Sequence, residues 1–233
     1  MAIGILLAAS SPNAEILTID SDFDGKLDQW HTLAEDGKTL KIEYDKNGDG
    51  KLDQVDIYEG HPQPVEAKLD RNFDGELDQF QFYAPDGMLL RVEKDRNFTG
   101  RIDRREFYST GPHLQRIETD ENRDGQMDLF QFFSNEERVT RIEYDKDFDG
   151  KVDRWEYYGD GEKLISASFD SNADEKPDQW QYFLDATVLS KVEFDTNFDG
   201  KVDRWEYYGP DRQLERVEID RNFDGVLDMV QRK

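Results

Sequence analysis

The sequence contains no cysteine and only three histidines, His31, His61 and His113. The absence of thiols excludes a disulfide framework, a thiolate nucleophile and any zinc or iron-sulfur site built on cysteine. The three histidines are scattered, without the close spacing of a zinc-binding helix. Thiolate and imidazole chemistry are therefore poor candidates for the function of this chain.

Basic residues are also scarce: 30 Lys and Arg stand against 54 Asp and Glu, which gives a formal net charge of -24. Such a chain repels a phosphate backbone, so nucleic acid is an unsuitable partner. No apolar run approaches the ~18 residues of a transmembrane helix, which predicts a soluble chain with no transmembrane segment. Aromatic residues make up 12% of the chain, more than disordered acidic tails carry. We therefore expect a folded protein in which something neutralises the acid.

Residues 1–13 are predicted to be an apolar leader or the remnant of a secretory signal peptide. Met1 to Ala9 form a short apolar run followed by small residues, as in a signal peptide, but no Lys or Arg precedes the run. Both interpretations stay open. Residues 14–233 are predicted to form a single repeat domain.

One aspartate-rich motif recurs every 25 residues along almost the whole chain, in nine copies. Each copy follows the pattern D-x-[DN]-x-D-G-x-x-D with few departures. Asp20 to Asp28 (DSDFDGKLD) and Asp195 to Asp203 (DTNFDGKVD) are two examples. Nine copies in one register indicate a tandem repeat, which we number from loop 1 to loop 9.

The segments between the motifs alternate in polarity as β-strands do. In Val202 to Tyr208, Trp205 and Tyr207 share one side and the charged residues that alternate with them share the other. After a turn at Gly209-Pro210-Asp211 the segment Leu214 to Ile219 alternates again. Each repeat is therefore a β-hairpin, and the fold class is all-β: about eighteen strands in an antiparallel meander, arranged as an open, solenoid-like array. A β-propeller of four-stranded blades is the alternative. We expect one face of the sheet to be apolar and aromatic, and the other to carry Arg or Gln opposite Glu.

The aspartate motif has the ligand pattern of a calcium site. Ca²⁺ binds six to eight oxygen atoms, and alternate acidic residues on a tightly wound loop direct their carboxylates to one point. Positions 1, 3, 5 and 9 supply side-chain oxygens, position 6 is a glycine at the sharp turn, and position 7 contributes its main-chain carbonyl. Magnesium seldom uses an all-protein cage, and transition metals favour histidine or thiolate, so calcium is the predicted cofactor. Nine such ions would change the net charge from -24 to -6.

The predicted calcium ligands are 45 residues, five in each loop. Position 1 is Asp20, Asp45, Asp70, Asp95, Asp120, Asp145, Asp170, Asp195 and Asp220. Position 3 is Asp22, Asn47, Asn72, Asn97, Asn122, Asp147, Asn172, Asn197 and Asn222. Position 5 is Asp24, Asp49, Asp74, Thr99, Asp124, Asp149, Asp174, Asp199 and Asp224. Position 7 is Lys26, Lys51, Glu76, Arg101, Gln126, Lys151, Lys176, Lys201 and Val226. Position 9 is Asp28, Asp53, Asp78, Asp103, Asp128, Asp153, Asp178, Asp203 and Asp228.

These loops resemble the calcium loops of EF-hands, dockerins, thrombospondin type 3 repeats and integrin alpha (FG-GAP) propellers. The likeness to a true EF-hand fails at position 12, where Gln81, Gln131 and Gln181 stand in place of a glutamate. The aspartate at position 9 is similar to the closing ligand of the integrin-type loop, and the hairpins resemble YwqK and MORN-type repeats. The resemblance covers residues 14–233 and implies a bacterial surface or periplasmic protein with EF-hand-like calcium repeats.

Two loops depart from the pattern. In loop 4, Thr99 replaces the aspartate at position 5, which removes one charge. In loop 7, Glu175 replaces the glycine at position 6 and Pro177 occupies position 8, so backbone strain is expected. We expect these two loops to bind calcium most weakly or not at all.

Three sets of aromatic residues have both a packing and a binding interpretation. We expect the phenylalanines at position 4 to pack between neighbouring loops: Phe23, Phe73, Phe98, Phe148, Phe198 and Phe223. We expect the stripe at position 11 to be core: Trp30, Phe80, Phe130, Trp155, Trp180 and Trp205. Tyrosines near the hairpin turns are the better candidates for contact with a ligand: Tyr58, Tyr83, Tyr108, Tyr158 and Tyr208.

No motif for catalysis is present, neither a nucleophile elbow, a phosphate-binding glycine loop nor a zinc-protease helix, so we expect a protein that is not an enzyme. The leading hypothesis is a calcium-binding structural or adhesive repeat protein that is secreted, periplasmic or on the cell surface. Structural calcium modules often bind at about 10⁻⁴–10⁻³ M, a concentration found outside cells. The alternatives are a calcium-dependent receptor for an extracellular protein or glycan, and an intracellular calcium buffer.

Overall fold

The computed structural model describes residues 14–109 and 112–233, so the predicted leader lies outside the described residues. Within those ranges it contains eighteen β-strands and one short 3₁₀ turn at Asp160–Glu162. The first eight strands are β1 (Glu15–Ile19), β2 (Gln29–Leu33), β3 (Thr39–Tyr44), β4 (Gln54–Ile57), β5 (Glu66–Leu69), β6 (Gln79–Tyr83), β7 (Leu89–Lys94) and β8 (Arg104–Tyr108). The other ten are β9 (Leu114–Thr119), β10 (Leu129–Phe133), β11 (Val139–Tyr144), β12 (Arg154–Tyr158), β13 (Leu164–Phe169), β14 (Gln179–Asp185), β15 (Val188–Phe194), β16 (Arg204–Tyr208), β17 (Leu214–Ile219) and β18 (Met229–Arg232).

Within each of two compact units the strands form an open antiparallel sheet in which a strand pairs with its neighbour in the sequence. The chain divides into two compact units, Met1–Leu114 and Gln115–Lys233, and each is described by itself. In the first unit β1 to β8 pair in order. In the second unit β9 to β18 pair in order. This confirms the all-β meander; within each unit the pairing continues from strand to strand and is not divided into the four-stranded blades of a propeller.

Two kinds of connection alternate along the meander. The aspartate loops join each odd-numbered strand to the next even-numbered strand, and short turns join each even-numbered strand to the next odd-numbered one. Most of the turns have the geometry seen at Ala34, whose N–H donates to the carbonyl of Lys38 at 2.8 Å while Gly37 adopts a φ of 79°. The predicted turn after β16 has the same geometry, with the N–H of Gly209 donating to Gln213 at 2.9 Å. A residue with positive φ at the end of a short hairpin loop is the usual way to close a bulged hairpin.

The prediction of one apolar, aromatic face is wrong. Trp205 lies opposite Glu218 and Tyr207 lies opposite Arg216. Opposite residues in an antiparallel pair project to the same face, so these aromatic residues share their face with charged residues, and Val217 projects to the other face. Alternation within a strand shows which residues share a side, but the register between strands decides what they meet.

The aromatic side chains are half-buried because cationic side chains lie over them. The guanidinium carbon of Arg216 lies 3.9 Å from the ring centroid of Tyr207, and that of Arg141 lies 4.1 Å from Phe132. The stripe of Trp and Phe at position 11, predicted to be core, is half-buried in the same way. Among the described residues the buried apolar side chains are Val55, Ala67, Val92, Ile117, Ala167 and Val192.

The other face carries a buried carboxylate on every fourth strand: Asp56, Glu106, Glu156 and Glu206. The hydroxyl of Tyr158 donates to Glu156 at 2.6 Å, and Tyr208 donates to Glu206 at the same distance. Burial raises the pKa of Tyr208 to about 12, and the hydrogen bond to Glu206 contributes to the same shift. Tyr83 donates to Gln81 and Tyr108 donates to Glu106, so four of the five tyrosines proposed as ligand contacts already use their hydroxyls within the sheet.

No helix within residues 14–109 and 112–233 has the length and apolar composition needed to cross a bilayer.

Candidate metal centres in the aspartate loops

The aspartate loops of each unit lie in a row at one end of its strands. Consecutive loops are linked through the backbone, because the N–H of the first aspartate donates to the carbonyl of the last aspartate of the loop before it. Asp45 donates to Asp28 and Asp70 donates to Asp53, both at 2.9 Å. The repeat therefore builds a ladder of aspartates along the loop row.

Two residues of every loop adopt the left-handed conformation. At position 6 the φ of Gly25 is 93° and that of Gly200 is 88°, as the glycine in the motif predicts. Position 4 is left-handed too, although phenylalanine usually stands there, as in Phe198 with a φ of 61°. The sequence analysis missed this second turn; the signal for it is Gly48, the one glycine at position 4.

The first aspartate is held by the turn at position 6. The N–H of Gly50 donates to Oδ2 of Asp45 at 2.8 Å, and the equivalent bond from Gly200 to Asp195 is 2.7 Å. Glu175 makes the same bond to Asp170 at 2.7 Å with a φ of 69°, so loop 7 keeps the turn without a glycine. Glu175 is thus the residue at which loop 7 is more strained than the other loops, since a side chain is disfavoured in that conformation.

The last aspartate closes the loop onto its own beginning. In loop 5 the N–H of Glu121 donates to Oδ2 of Asp128 at 2.7 Å, and in loop 8 Thr196 donates to Asp203 at 2.8 Å. The aspartate at position 5 accepts an N–H from position 7, as Asp124 does from Gln126 at 2.8 Å. These bonds to backbone amides fix the direction of the carboxylates without neutralising their charge.

Three loops bring three carboxylates together, with one ligand atom of each within 4.8 Å of the others. These groups are Asp20, Asp22 and Asp28 in loop 1, Asp120, Asp124 and Asp128 in loop 5, and Asp145, Asp147 and Asp153 in loop 6. In two of these loops a buried carboxylate oxygen has no hydrogen-bond partner, namely Oδ1 of Asp20 and Oδ1 of Asp128. Asp128 is also the most deeply buried side chain among the described residues, at 2% exposure.

A divalent cation fits this donor set. A buried carboxylate oxygen without a partner loses its hydration and gains nothing in return, which a bound cation would correct. Burial raises the pKa of Asp128 above its usual value; hydrogen bonds from the N–H groups of Asn122 and Glu121 oppose the shift, and repulsion from Asp120 adds to it. The loops offer oxygen atoms alone, the ligands of hard cations, and none of the nitrogen or sulfur that transition metals favour.

Loop 4 has a different arrangement. Nε of Arg96 lies 2.6 Å from Oδ1 of Asp103, and Nδ2 of Asn97 donates to Oδ2 of the same carboxylate at 2.6 Å. In loop 5 the equivalent amide of Asn122 donates instead to Asp124, the residue at position 5. Because Thr99 supplies no carboxylate at position 5, Asn97 turns to Asp103, and a guanidinium occupies the side of Asp103 that a cation would otherwise use. Sequence analysis identified Thr99 as the departure but missed Arg96.

The phenylalanines at position 4 pack against the preceding loop. Phe73 lines a cleft of about 250 Å³ together with Lys46 and Asp53 of loop 2 and Leu69 at the end of β5. Phe73 is 51% exposed and Phe223, in the last loop, is 44% exposed, whereas Phe23, in the first loop, is 82% exposed. Packing between loops therefore covers about half of each phenylalanine except Phe23, which lies in the first loop and is mostly exposed.

No family model matches the chain, and no curated protein matches it. Solved structures with local likeness include a crystal structure of TcdB2-TccC3-Cdc42, at 14% identity and a TM-score of 0.25, covering 92% of this chain and 14% of the matched chain. A crystal structure of TcdB2-TccC3-TEV matches at 16% identity and a TM-score of 0.26, covering 93% of this chain and 14% of the other. The chain thus spans about a seventh of the length of these matches.

Proposed function

We propose that the chain is a calcium-binding structural or adhesive repeat protein that works outside the cytoplasm and is not an enzyme. The observation that carries this proposal is the pair of buried carboxylate oxygens without partners, Oδ1 of Asp20 and Oδ1 of Asp128, each within a group of three aspartates. Calcium ions at such groups would hold the loops rigid and fix the direction of the strands that follow. In each loop that binds an ion, we propose that the ligands are those predicted from the sequence, including the main-chain carbonyl at position 7.

The location outside the cytoplasm rests on ion supply. Loops that use calcium for structure bind at about 10⁻⁴–10⁻³ M, which extracellular and periplasmic fluid provide and the cytosol does not. A bacterial surface or periplasm is the location that the resemblance of the loops implies. An affinity near 10⁻⁷ M would favour an intracellular buffer instead.

A second candidate, a calcium-dependent receptor for a protein or glycan, is favoured by the exposed phenylalanines of the loop row. Phe73, Phe98 and Phe198 are each about half exposed beside the candidate ion sites. Binding to such a partner that is lost on chelation and on substitution of these residues by alanine would support the receptor function.

Calorimetric titration of the metal-free chain with CaCl₂, and separately with MgCl₂, tests the proposal. We expect saturable calcium binding at several sites, weaker magnesium binding, and a higher melting temperature in calcium. A chain that takes up no calcium at extracellular concentrations, or melts at the same temperature in calcium and in chelator, would contradict the proposal.

A further inference from the structure

Strand β13 departs from the pattern of its neighbours. On β11 the residues of the aromatic face are Arg141 and Glu143, and on β15 they are Lys191 and Glu193. The equivalent residues of β13 are Ser166 and Ser168. Among the odd-numbered strands from β3 to β17, β13 is the one that lacks this charged pair.

Aromatic residues stand on both sides of the two serines. Ser168 lies opposite Trp155 on β12 and opposite Trp180 on β14. Ser166 lies opposite Tyr157 and Tyr182 in the same two strands. All of these side chains project to one face, and the two flanking strands are about 10 Å apart, twice the strand spacing.

The neighbouring repeats show what occupies the equivalent space. The ammonium of Lys191 lies 5.3 Å from the ring centroid of Tyr182 and 6.0 Å from that of Tyr207, the two tyrosines that flank it. Arg216 covers Tyr207 from the next strand at 3.9 Å. Ser166 has a short, uncharged side chain, so β13 itself supplies no cation between the two tyrosines that flank this residue.

Between the flanking aromatic residues, Ser166 is half-buried and Ser168 is buried. Tyr157 is 38% exposed, the one tyrosine among the exposed large hydrophobic residues of the described chain. Ser168 is 5% exposed, beside the two tryptophans. A side chain can therefore enter between Tyr157 and Tyr182, and the buried Ser168 limits how deep it reaches. We call this site the β13 cleft: Trp155, Tyr157, Ser166, Ser168, Trp180 and Tyr182.

We propose that the β13 cleft binds a Lys or Arg side chain of a basic protein segment. The incoming cation lies over the ring of Tyr157 as Arg216 lies over Tyr207, because Ser166 stands at the position that Arg216 has in its own strand. The other tyrosine of the cleft, Tyr182, already has Lys191 beside it. Cations are attracted to the faces of aromatic rings by the ring quadrupole. The net charge of the chain is -24 and would still be -6 with nine calcium ions, so a cationic partner is also attracted at long range. The proposal does not depend on calcium binding by the loops.

An NMR titration of the full chain tests the proposal. The probe is the peptide acetyl-Gly-Ser-Arg-Ser-Gly-amide, and its control is the same peptide with neutral citrulline in place of arginine. We expect saturable shifts of the indole N–H signals of Trp155 and Trp180, unchanged signals from Trp30, and binding of the citrulline peptide that is several-fold weaker. Equal binding of the two peptides, or shifts produced by a neutral oligosaccharide and not by the arginine peptide, would overturn the proposal.

The double variant S166R/S168E fills the cleft with the chain's own charged pair and leaves the net charge unchanged. It should melt like the parent chain and lose the arginine-dependent shifts. The matched control K41S/E43S removes a charged pair on β3, where the strand on one side carries Val55 and Ile57 in place of aromatic residues, and should leave the titration unchanged. Should the double variant fail to fold, Tyr157→Ala provides the same test at an exposed residue. Undiminished arginine binding by a folded variant of either kind would refute the proposed site.

Discussion

Carboxylates at the same position of the repeat have different partners. Oδ1 of Asp128 is buried without a partner, whereas both oxygens of Asp103, its equivalent in loop 4, are bonded to Arg96 and Asn97. A guanidinium carries its charge permanently and is available at any calcium concentration. We infer that loop 4 is held by an internal cation and loop 5 by an external one.

The different partners of Asp128 and Asp103 predict different effects when each aspartate is replaced by asparagine. Asp128→Asn should reduce the number of calcium ions bound by one, because it removes a ligand charge from loop 5. Asp103→Asn should leave that number unchanged and lower the free energy of unfolding by about 1 kcal/mol, because it breaks an ion pair whose carboxylate is buried but whose guanidinium is partly exposed to solvent. Calorimetric titration and urea unfolding in calcium measure the two effects.

The converse variant R96S/T99D frees Asp103 and restores the aspartate at position 5. It should add one calcium site to the number found for the parent chain. An unchanged stoichiometry would show that Arg96 does not substitute for the ion, even where the parent chain binds calcium as proposed.

Each aspartate loop needs a residue in the left-handed conformation at position 6 to make its turn. Glu175 fills this position in loop 7 with a φ of 69°, and Gly200 fills it in loop 8 with a φ of 88°. The carboxylate of Glu175 pairs with Lys151 at 2.9 Å, but both side chains are about half exposed or more, so the pair adds little stability. The cost of loop 7 therefore comes from the backbone.

Exchanging the two residue types tests this cost. Gly200→Glu should lower the free energy of unfolding by about 1–2 kcal/mol, since it places a side chain in a left-handed residue. Glu175→Gly should raise it by up to about 1 kcal/mol, because the strain relieved exceeds the entropy that glycine adds to the unfolded chain. Urea unfolding of both variants, with Lys151→Ala as a control for the ion pair, gives the comparison; two effects of the same sign would contradict the argument.

The whole molecule carries a net charge of -24, and many of its aspartates lie in loop rows. Repulsion between carboxylates in neighbouring loops opposes folding unless cations are bound or salt screens it. The Debye length is about 10 Å at 0.1 M salt, so sodium chloride weakens this repulsion across adjacent loops.

Salt and calcium should therefore stabilise the chain through the same charges. In chelator we expect the melting temperature to rise markedly as sodium chloride is increased, and in saturating calcium we expect a much smaller rise. Potassium chloride is the control for a specific effect of sodium. A salt dependence that is the same in calcium and in chelator would show that bound calcium does not relieve the repulsion.

The local features of this protein follow from its amino-acid sequence. The interval of 25 residues, the alternation of polar and apolar residues and the turn residues predict the strands, the hairpins and the meander, because each depends on contacts within one repeat or between consecutive strands. The motif likewise identifies the carboxylates that loops 1, 5 and 6 bring together, since a nine-residue loop holds its own ligands.

The tertiary structure decided what the repeats present to each other. The register between strands places Trp205 opposite Glu218 and overturns the expected apolar face. The same register aligns Ser166 with Tyr157 and Tyr182 and opens the β13 cleft, and the fold of loop 4 turns Arg96 onto Asp103. These contacts depend on where side chains of different strands or loop positions meet in space. Alternation within a strand does not fix the register, and a one-residue change of register would send every side chain of a strand to the opposite face.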